Sequence, residues 1–126
     1  MKNLLFLLAV CFIVFSSCKK DDCVAGDLDD VIVGTWDVHV LGTNTGEVEF
    51  QADGDLIDAD DVLIGGEIGG ESFDIKTYVV NSNNLLTLKA ETASGSSIES
   101  EIDVTSYECD EIVFDFGGIS GRLEKE

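Results

Sequence analysis

Alternation of apolar and polar residues is the feature that most constrains how this chain can fold. In residues 47–51 (EVEFQ) and residues 86–90 (LTLKA), apolar side chains recur at every second position, while helical spacing is nearly absent. This period is typical of β-strands that bury one face and expose the other. Turn signals such as residues 52–55 (ADGD) separate the alternating stretches. The pattern therefore predicts an all-β domain with about eight short antiparallel strands.

The short connections between these strands favour an up-and-down sheet. Closing that sheet into a small antiparallel β-barrel removes the exposed edges that invite aggregation, and an open β-sandwich is the alternative. Alternation places Ile75 and Val79 on the same face as Phe73. A barrel can bind a ligand only if its side chains leave an interior cavity, of about 300 Å³ or more. The candidate lining of such a cavity is a set of five inward aromatic residues: Trp36, Phe50, Phe73, Phe114 and Phe116.

The first 17 residues have the composition of a secretory signal peptide. Lys2 supplies the positive charge, and residues 4–15 form an unbroken apolar run of twelve. A membrane-spanning helix needs about 20 such residues, so this run is too short to be one. We therefore expect residues 1–17 to be removed on export.

The residues after this run indicate a lipid anchor. Ser16-Ser17-Cys18 resembles a bacterial lipobox, which implies that Cys18 becomes the N-terminus and carries acyl chains. Stable attachment by acyl chains takes at least two membrane-binding signals, which a multiply acylated cysteine supplies. Residues 18–30 then form a lipidated tether. Residues 19–22 (KKDD) resemble the export tag of surface lipoproteins in some diderm bacteria, which implies an outer-membrane lipoprotein facing outward; a solvated linker is the simpler alternative.

Charge restricts the partners of the mature chain, in which residues 31–126 form one domain. Only Lys2 of the seven basic residues lies in the signal peptide, so six basic and 26 acidic residues remain, a net charge of −20. Such a surface repels nucleic acid and anionic lipid headgroups and attracts cations or basic proteins. Solubility at a crowded cell surface is the alternative reason for this charge.

Two cysteines remain for a disulfide in the mature chain. Cys11 is removed with the signal peptide and Cys18 is acylated, which leaves Cys23 and Cys109. The bacterial envelope outside the inner membrane is oxidising, so we predict that these two form a disulfide. Two free thiols, lying far apart, are the alternative.

Several motifs together resemble the lipocalin-like domains of small diderm bacterial lipoproteins. Gly34-Thr35-Trp36 matches the G-x-W signature of the first lipocalin strand, and residues 48–54 (VEFQADG) match a frequent strand-turn segment. With residues 78–88 and 106–113, the resemblance extends over residues 31–125. It implies a barrel closed by a cation–π contact between Trp36 and an Arg of the last strand, here Arg122. If Leu123 faces inward, alternation directs the neighbouring Arg122 outward. A solvated Arg122 on the outer face is therefore the alternative.

The sequence gives little support for catalysis, metal binding or a cofactor. His39 is the only histidine, and it falls among polar residues on the outer face. Residues 53–61 (DGDLIDADD) are acidic but lack the spacing of a calcium loop, so turn formation is the preferred reading and weak cation binding the alternative. The predicted function is therefore a non-enzymatic binding module for a small apolar ligand. The alternative is an acidic protein-interaction module, for example an inhibitor of a basic enzyme such as a lysozyme.

Overall fold

The computed structural model describes residues 24–126; Cys18, Cys23 and the predicted signal peptide lie outside them. Among the described residues, no helix has the length and hydropathy to cross a membrane. This part of the chain contains one short helix and nine strands: α1 Leu28–Ile32, β1 Gly34–Val40, β2 Thr43–Phe50, β3 Leu56–Ile57, β4 Glu67–Ile68, β5 Glu71–Ser82, β6 Leu85–Thr92, β7 Ser97–Tyr107, β8 Glu111–Phe116 and β9 Ile119–Lys125.

The nine strands form one antiparallel sheet curled into a half-barrel. Their order across the sheet is β3-β2-β1-β9-β8-β7-β6-β5-β4, so the first long strand pairs with the last. The predicted all-β, small antiparallel barrel is confirmed, with nine strands where about eight were expected. Since a single sheet forms, the sandwich alternative is wrong.

The inward face of the sheet carries the apolar core. On β6 the buried residues Leu86, Leu88 and Ala90 alternate with half-buried ones, as the sequence pattern predicts. On β8 and β9 the ring of Phe114 lies directly over Gly121, where any Cβ would come within 2.3 Å of a ring carbon. A side chain at position 121 would therefore displace that ring from the core.

Helix α1 covers one end of the half-barrel. Leu28, Val31 and Ile32 are buried and follow the i, i+3, i+4 spacing of one helical face. The side chain of Asn83, in the β5–β6 turn, accepts a hydrogen bond from the Leu28 N–H at 2.9 Å. It also donates one to Asp27 Oδ1 at 3.2 Å. Residues 27–32, part of which was predicted to belong to the tether, thus pack against the sheet.

The open side of the half-barrel lies between β2 and β5. Strands β3 and β4 have only two residues each, and the two sides are joined by an isolated bridge between Asp55 and Thr77. Tyr78 reinforces this contact: its N–H donates to Gly54 O at 2.9 Å, and its hydroxyl donates to Gln51 O at 2.5 Å. Residues 58–66, which we call the side lid, contain no strand and pack against this opening.

Candidate functional site

Three of the five aromatic residues predicted to line the interior are buried in it. Trp36 and Phe50 are completely buried and Phe114 is nearly so, all within the hydrophobic core. Phe73 is partly buried and packs against that core. Phe116 is 40% exposed, so its assignment to the interior is wrong. It has the inward parity of Phe114, but it pairs with Ile119 next to the β8–β9 turn, beyond the packed part of the barrel.

A bulge in β5 corrects a second expectation. Phe73 pairs with Thr92 and Ile75 with Glu91, so Asp74 is an extra residue between them. The extra residue reverses the alternation, because two residues of one strand then face one of its partner. Ile75 and Val79 are consequently exposed on the outer face. Lys76, Tyr78 and Val80 take the inward positions opposite Ala90, Leu88 and Leu86.

Trp36 is held by a lysine, and the predicted pair with Arg122 is wrong. The indole N–H donates to Ile32 O at 2.7 Å, and Lys125 Nζ lies 5.0 Å from the ring centroid. Lys125 Nζ also donates to Val33 O at 3.2 Å. Arg122 instead points outward and pairs with Glu124 at 2.9 Å. The physical reason is alternation: Leu123 is buried, so Arg122 lies on the opposite face and Lys125 on the same face as Leu123.

Four clefts on the described part of the chain have volumes of about 250–470 Å³. The largest lies between α1 and the β2–β3 turn, where Asp29, Asp53 and Tyr78 line it. The second is on the outer face of β1, β8 and β9, beside His39 and the 84% exposed Leu41. Neither Trp36, Phe50 nor Phe114 lines any of the four. Phe73 lines one of them, a cleft of about 320 Å³ beside Asp58 and Lys76, and the other three are separate from the aromatic interior that the sequence indicated.

His39 and the acidic run 53–61 have structural contacts. His39 Nε2 lies 3.2 Å from Glu124 Oε2 on the outer face, as expected of a surface residue. Asp53 Oδ1 accepts a hydrogen bond from the Asp55 N–H at 3.1 Å, which stabilises the turn between β2 and β3. Asp58 is buried and accepts hydrogen bonds from the N–H groups of residues 62–64. Residues 53–61 therefore form turns, which was the preferred interpretation of their sequence.

The outer surface is acidic. Two acidic and three basic residues precede residue 24, so the described part carries 24 acidic and four basic side chains. All four basic groups are engaged: Lys76 with Asp61 at 2.5 Å, Lys89 with Glu91 at 3.0 Å, Arg122 with Glu124, and Lys125 with Trp36 and Val33. Lys89 is the one among them that lies beside the outer face of β7, opposite Glu99, and its ion pair is with Glu91 of its own strand.

The outer face of β7 presents a row of carboxylates. Glu99, Glu101 and Asp103 are exposed at alternate positions of the strand, about 6.7 Å apart along it. No ion pair among the described residues includes any of the three. Asp103 also lies directly opposite Asp115 of β8, and like charges in that position are destabilising. We call Glu99, Glu101, Asp103 and Asp115 the β7 acidic row.

A second acidic group, which sequence reasoning missed, lies at the other side of the sheet. Asp37, Glu47 and Glu126 bring carboxylate oxygens within 4.8 Å of one another. A hydrogen bond with Glu47, together with the charge of that residue, raises the pKa of Glu126 above its ordinary value. Asp37 and Glu47 come together because they pair across β1 and β2, so the group could have been found only from the strand register. That register could not be read from either strand alone.

Cys109 lies in the turn between β7 and β8, as predicted. The hydroxyl of Tyr107, two residues earlier, donates to Gly26 O at 3.0 Å. Cys23 is only three residues before Gly26, and three residues span at most about 11 Å. The contact therefore supports the pairing of Cys23 with Cys109, which stays a prediction.

Comparison with known proteins yields no match to any family model, curated protein or solved structure.

Proposed function

We propose that this chain is a lipid-anchored, non-enzymatic binding module of the outer membrane, with a lipocalin-like barrel that binds a basic protein through its acidic outer surface. The observation that carries the proposal is the β7 acidic row. Glu99, Glu101 and Asp103 are exposed and form no ion pair among the described residues. Lys89 lies opposite Glu99 on β6 but pairs with Glu91, and the other three basic groups are engaged away from the row. A small basic enzyme such as a lysozyme carries the opposite charge and is therefore a suitable partner.

The arrangement of the row supports a protein partner over dispersed charge for solubility. Solubility depends on net charge and does not require like charges to face each other across strands. The opposition of Asp103 and Asp115 lowers stability, and a bound cationic surface would relieve it. Complementary potentials also steer a basic partner toward the domain and increase its association rate.

The packing of the interior favours the surface over the barrel as the main binding site. Trp36 and Phe50 are fully buried, and α1 inserts Leu28 and Ile32 at one end of the half-barrel. Capture of a small apolar ligand is the second candidate function. The observation that favours it is the side lid, whose side chains Val62, Leu63 and Ile64 pack against the core at the open side of the half-barrel.

We predict that Cys18 carries the lipid anchor of this module. Labelling of cells with a fatty-acid analogue is expected to mark the wild-type protein and to leave a Cys18→Ala variant unlabelled. Cys11→Ala is the matched control, because Cys11 lies inside the apolar run and should not affect labelling. If the Cys18→Ala protein still carried label, the anchor would have to be elsewhere.

We predict that the soluble domain, from Lys19 onward, binds lysozyme in a salt-dependent way. Affinity measured by calorimetry should fall steeply between about 50 mM and about 500 mM salt, because surface charges are screened over about 10 Å at 0.1 M. Neutralising the row with Glu99→Gln, Glu101→Gln and Asp103→Asn should weaken binding about tenfold, or about 1.4 kcal/mol.

The control for this experiment removes the same number of charges elsewhere. Glu67, Glu108 and Glu126 are exposed and lie outside the row, so their replacement by Gln gives the same net charge. This triple variant should retain most of the affinity. Equal losses in the two variants would indicate a response to net charge alone, and equal affinity at both salt concentrations would contradict an electrostatic interface.

A further inference from the structure

The side lid, residues 58–66, is organised around the carboxylate of Asp58. Asp58 Oδ1 accepts the N–H of Val62 at 2.7 Å, and Oδ2 accepts the N–H groups of Leu63 and Ile64, each at 2.9 Å. The Asp58 side chain is completely buried. These hydrogen bonds join residues within the lid to each other. The lid is therefore a compact unit held together by hydrogen bonds of its own.

One side chain of β5 attaches this unit to the barrel. The Asp74 bulge turns Lys76 inward, where its Nζ donates to Asp58 O and to Asp61 Oδ1. The Lys76 side chain is only 8% exposed. It also lowers the pKa of Asp61 below its ordinary value, through the hydrogen bond and its charge. Hydrogen bonds between charged groups are stronger than neutral ones, so Lys76 is the latch of the lid.

On the other side the lid packs against β2 by shape. Gly46 is opposite the inward residue Val38, and a Cβ built on Gly46 would lie 2.7 Å from a methyl group of Val62. The lid therefore inserts Val62 into a notch that exists only because residue 46 is glycine. Ile64, also from the lid, is buried and belongs to the hydrophobic core. These lid side chains fill apolar space on the open side of the half-barrel.

The lid is flanked by short strands and glycines. Strands β3 and β4 on either side of it have two residues each. Gly66, the last residue of the lid, and Gly69 and Gly70 beyond β4 have positive φ angles that favour glycine. Segments with few attachments to the core open at lower free energy than the paired strands.

We propose that the side lid opens as a unit while the strands stay paired, and that its opening exposes an apolar site inside the half-barrel. The site takes a small apolar ligand, because Val62 and Ile64 occupy that space in the closed form. Lys76 sets how often the lid opens. This proposal rests on the second candidate function, and it stands or falls independently of binding at the β7 acidic row.

The test uses buried thiols as reporters in the full soluble domain. A cysteine replacing Ile64 reports lid opening, and one replacing Ile112 of β8, equally buried, reports opening of the sheet. Labelling by a thiol reagent is followed by peptide mass mapping, so that Cys23 and Cys109 are counted separately. The Ile64→Cys thiol should react at least about tenfold faster than the Ile112→Cys thiol, since local opening is less costly than opening of the sheet.

Two pairs of variants then test the roles of Lys76 and of Gly46 in holding the lid closed. Lys76→Met should accelerate labelling at position 64 about tenfold or more, while Lys89→Met, which removes a surface ion pair of β6, should not. Gly46→Ala should act like Lys76→Met, because its methyl group displaces Val62. Gly42→Ala, also at positive φ but with no atom within 4 Å of its Cβ, is the control for backbone strain.

Equal labelling rates at positions 64 and 112, in the wild type and in Lys76→Met, would overturn the proposal, because the lid would then open only when the sheet unfolds. Binding of the neutral apolar dye N-phenyl-1-naphthylamine tests the site itself. Gly46→Ala, which leaves Lys76 in place, should bind the dye more tightly than Gly42→Ala does. Faster labelling without this difference would overturn the assignment of a ligand site. Binding of lysozyme should be the same in Gly46→Ala and Gly42→Ala, since neither of these variants changes a charge or alters the β7 acidic row.

Discussion

Replacing Trp36 with alanine is expected to lower the free energy of unfolding by about 3–5 kcal/mol. Trp36 is completely buried, and its removal leaves a cavity beneath α1 that the strands cannot readily fill. It also leaves Ile32 O without the indole N–H and Lys125 Nζ without the ring. Because domains of this size are stable by only about 5–15 kcal/mol, the change should be evident in urea unfolding followed by circular dichroism.

Two smaller changes separate the contribution of the indole N–H from that of the cation–π contact. Trp36→Phe retains most of the buried ring and loses the N–H, so a cost of about 1–3 kcal/mol is expected from the unsatisfied carbonyl of Ile32. Lys125→Met should cost about 1–2 kcal/mol through the lost cation–π contact. Arg122→Met, which removes an exposed ion pair, should cost less than about 1 kcal/mol. An Arg122→Met cost equal to that of Lys125→Met would contradict the assignment of Lys125 as the partner of Trp36.

Reducing the predicted Cys23–Cys109 disulfide is expected to lower the stability of the soluble domain by about 4–5 kcal/mol, as the chain-entropy model gives for so long a loop. The hydrogen bond from Tyr107 to Gly26 places the two chain segments side by side. The disulfide would fasten the tether to the end of the half-barrel that α1 covers. It would thereby set which end of the domain faces the membrane.

Mass spectrometry checks this prediction directly. The soluble domain should gain the mass of two hydrogens on reduction, and its urea midpoint should fall at the same time. Tyr107→Phe is a useful control, because it removes the hydrogen bond to Gly26 and leaves both thiols in place. An unchanged mass, or a covalent dimer, would show that the two cysteines do not pair within one chain.

Alternation was sufficient to predict the all-β class and most of the core. Leu86 and Leu88 on β6, and Ile112 and Phe114 on β8, are buried as the pattern indicates. The period of two is a local property of the strand, because successive side chains point to opposite faces. A face can therefore be assigned from sequence wherever the strand is regular.

The same rule failed where the strand is irregular or ends. Asp74 is an extra residue in β5, which turns Lys76 inward and Ile75 outward. Phe116 keeps inward parity but lies beyond the packed core. Neither a bulge nor the end of the core has a signal in the alternation itself, since both depend on the partner strands.

Sequence alone determined the alternating strands, the acidic surface and the expectation of a signal peptide with a lipid anchor, because composition and period are read along the chain. Tertiary structure decided which residues meet. Lys76 reaches Asp58 and Asp61 only across the open side of the half-barrel, and Lys125 reaches Trp36 only because the last strand pairs with the first. These contacts depend on strand register and on how the sheet closes. Both are set by packing between residues far apart in sequence, and a local pattern carries no record of them.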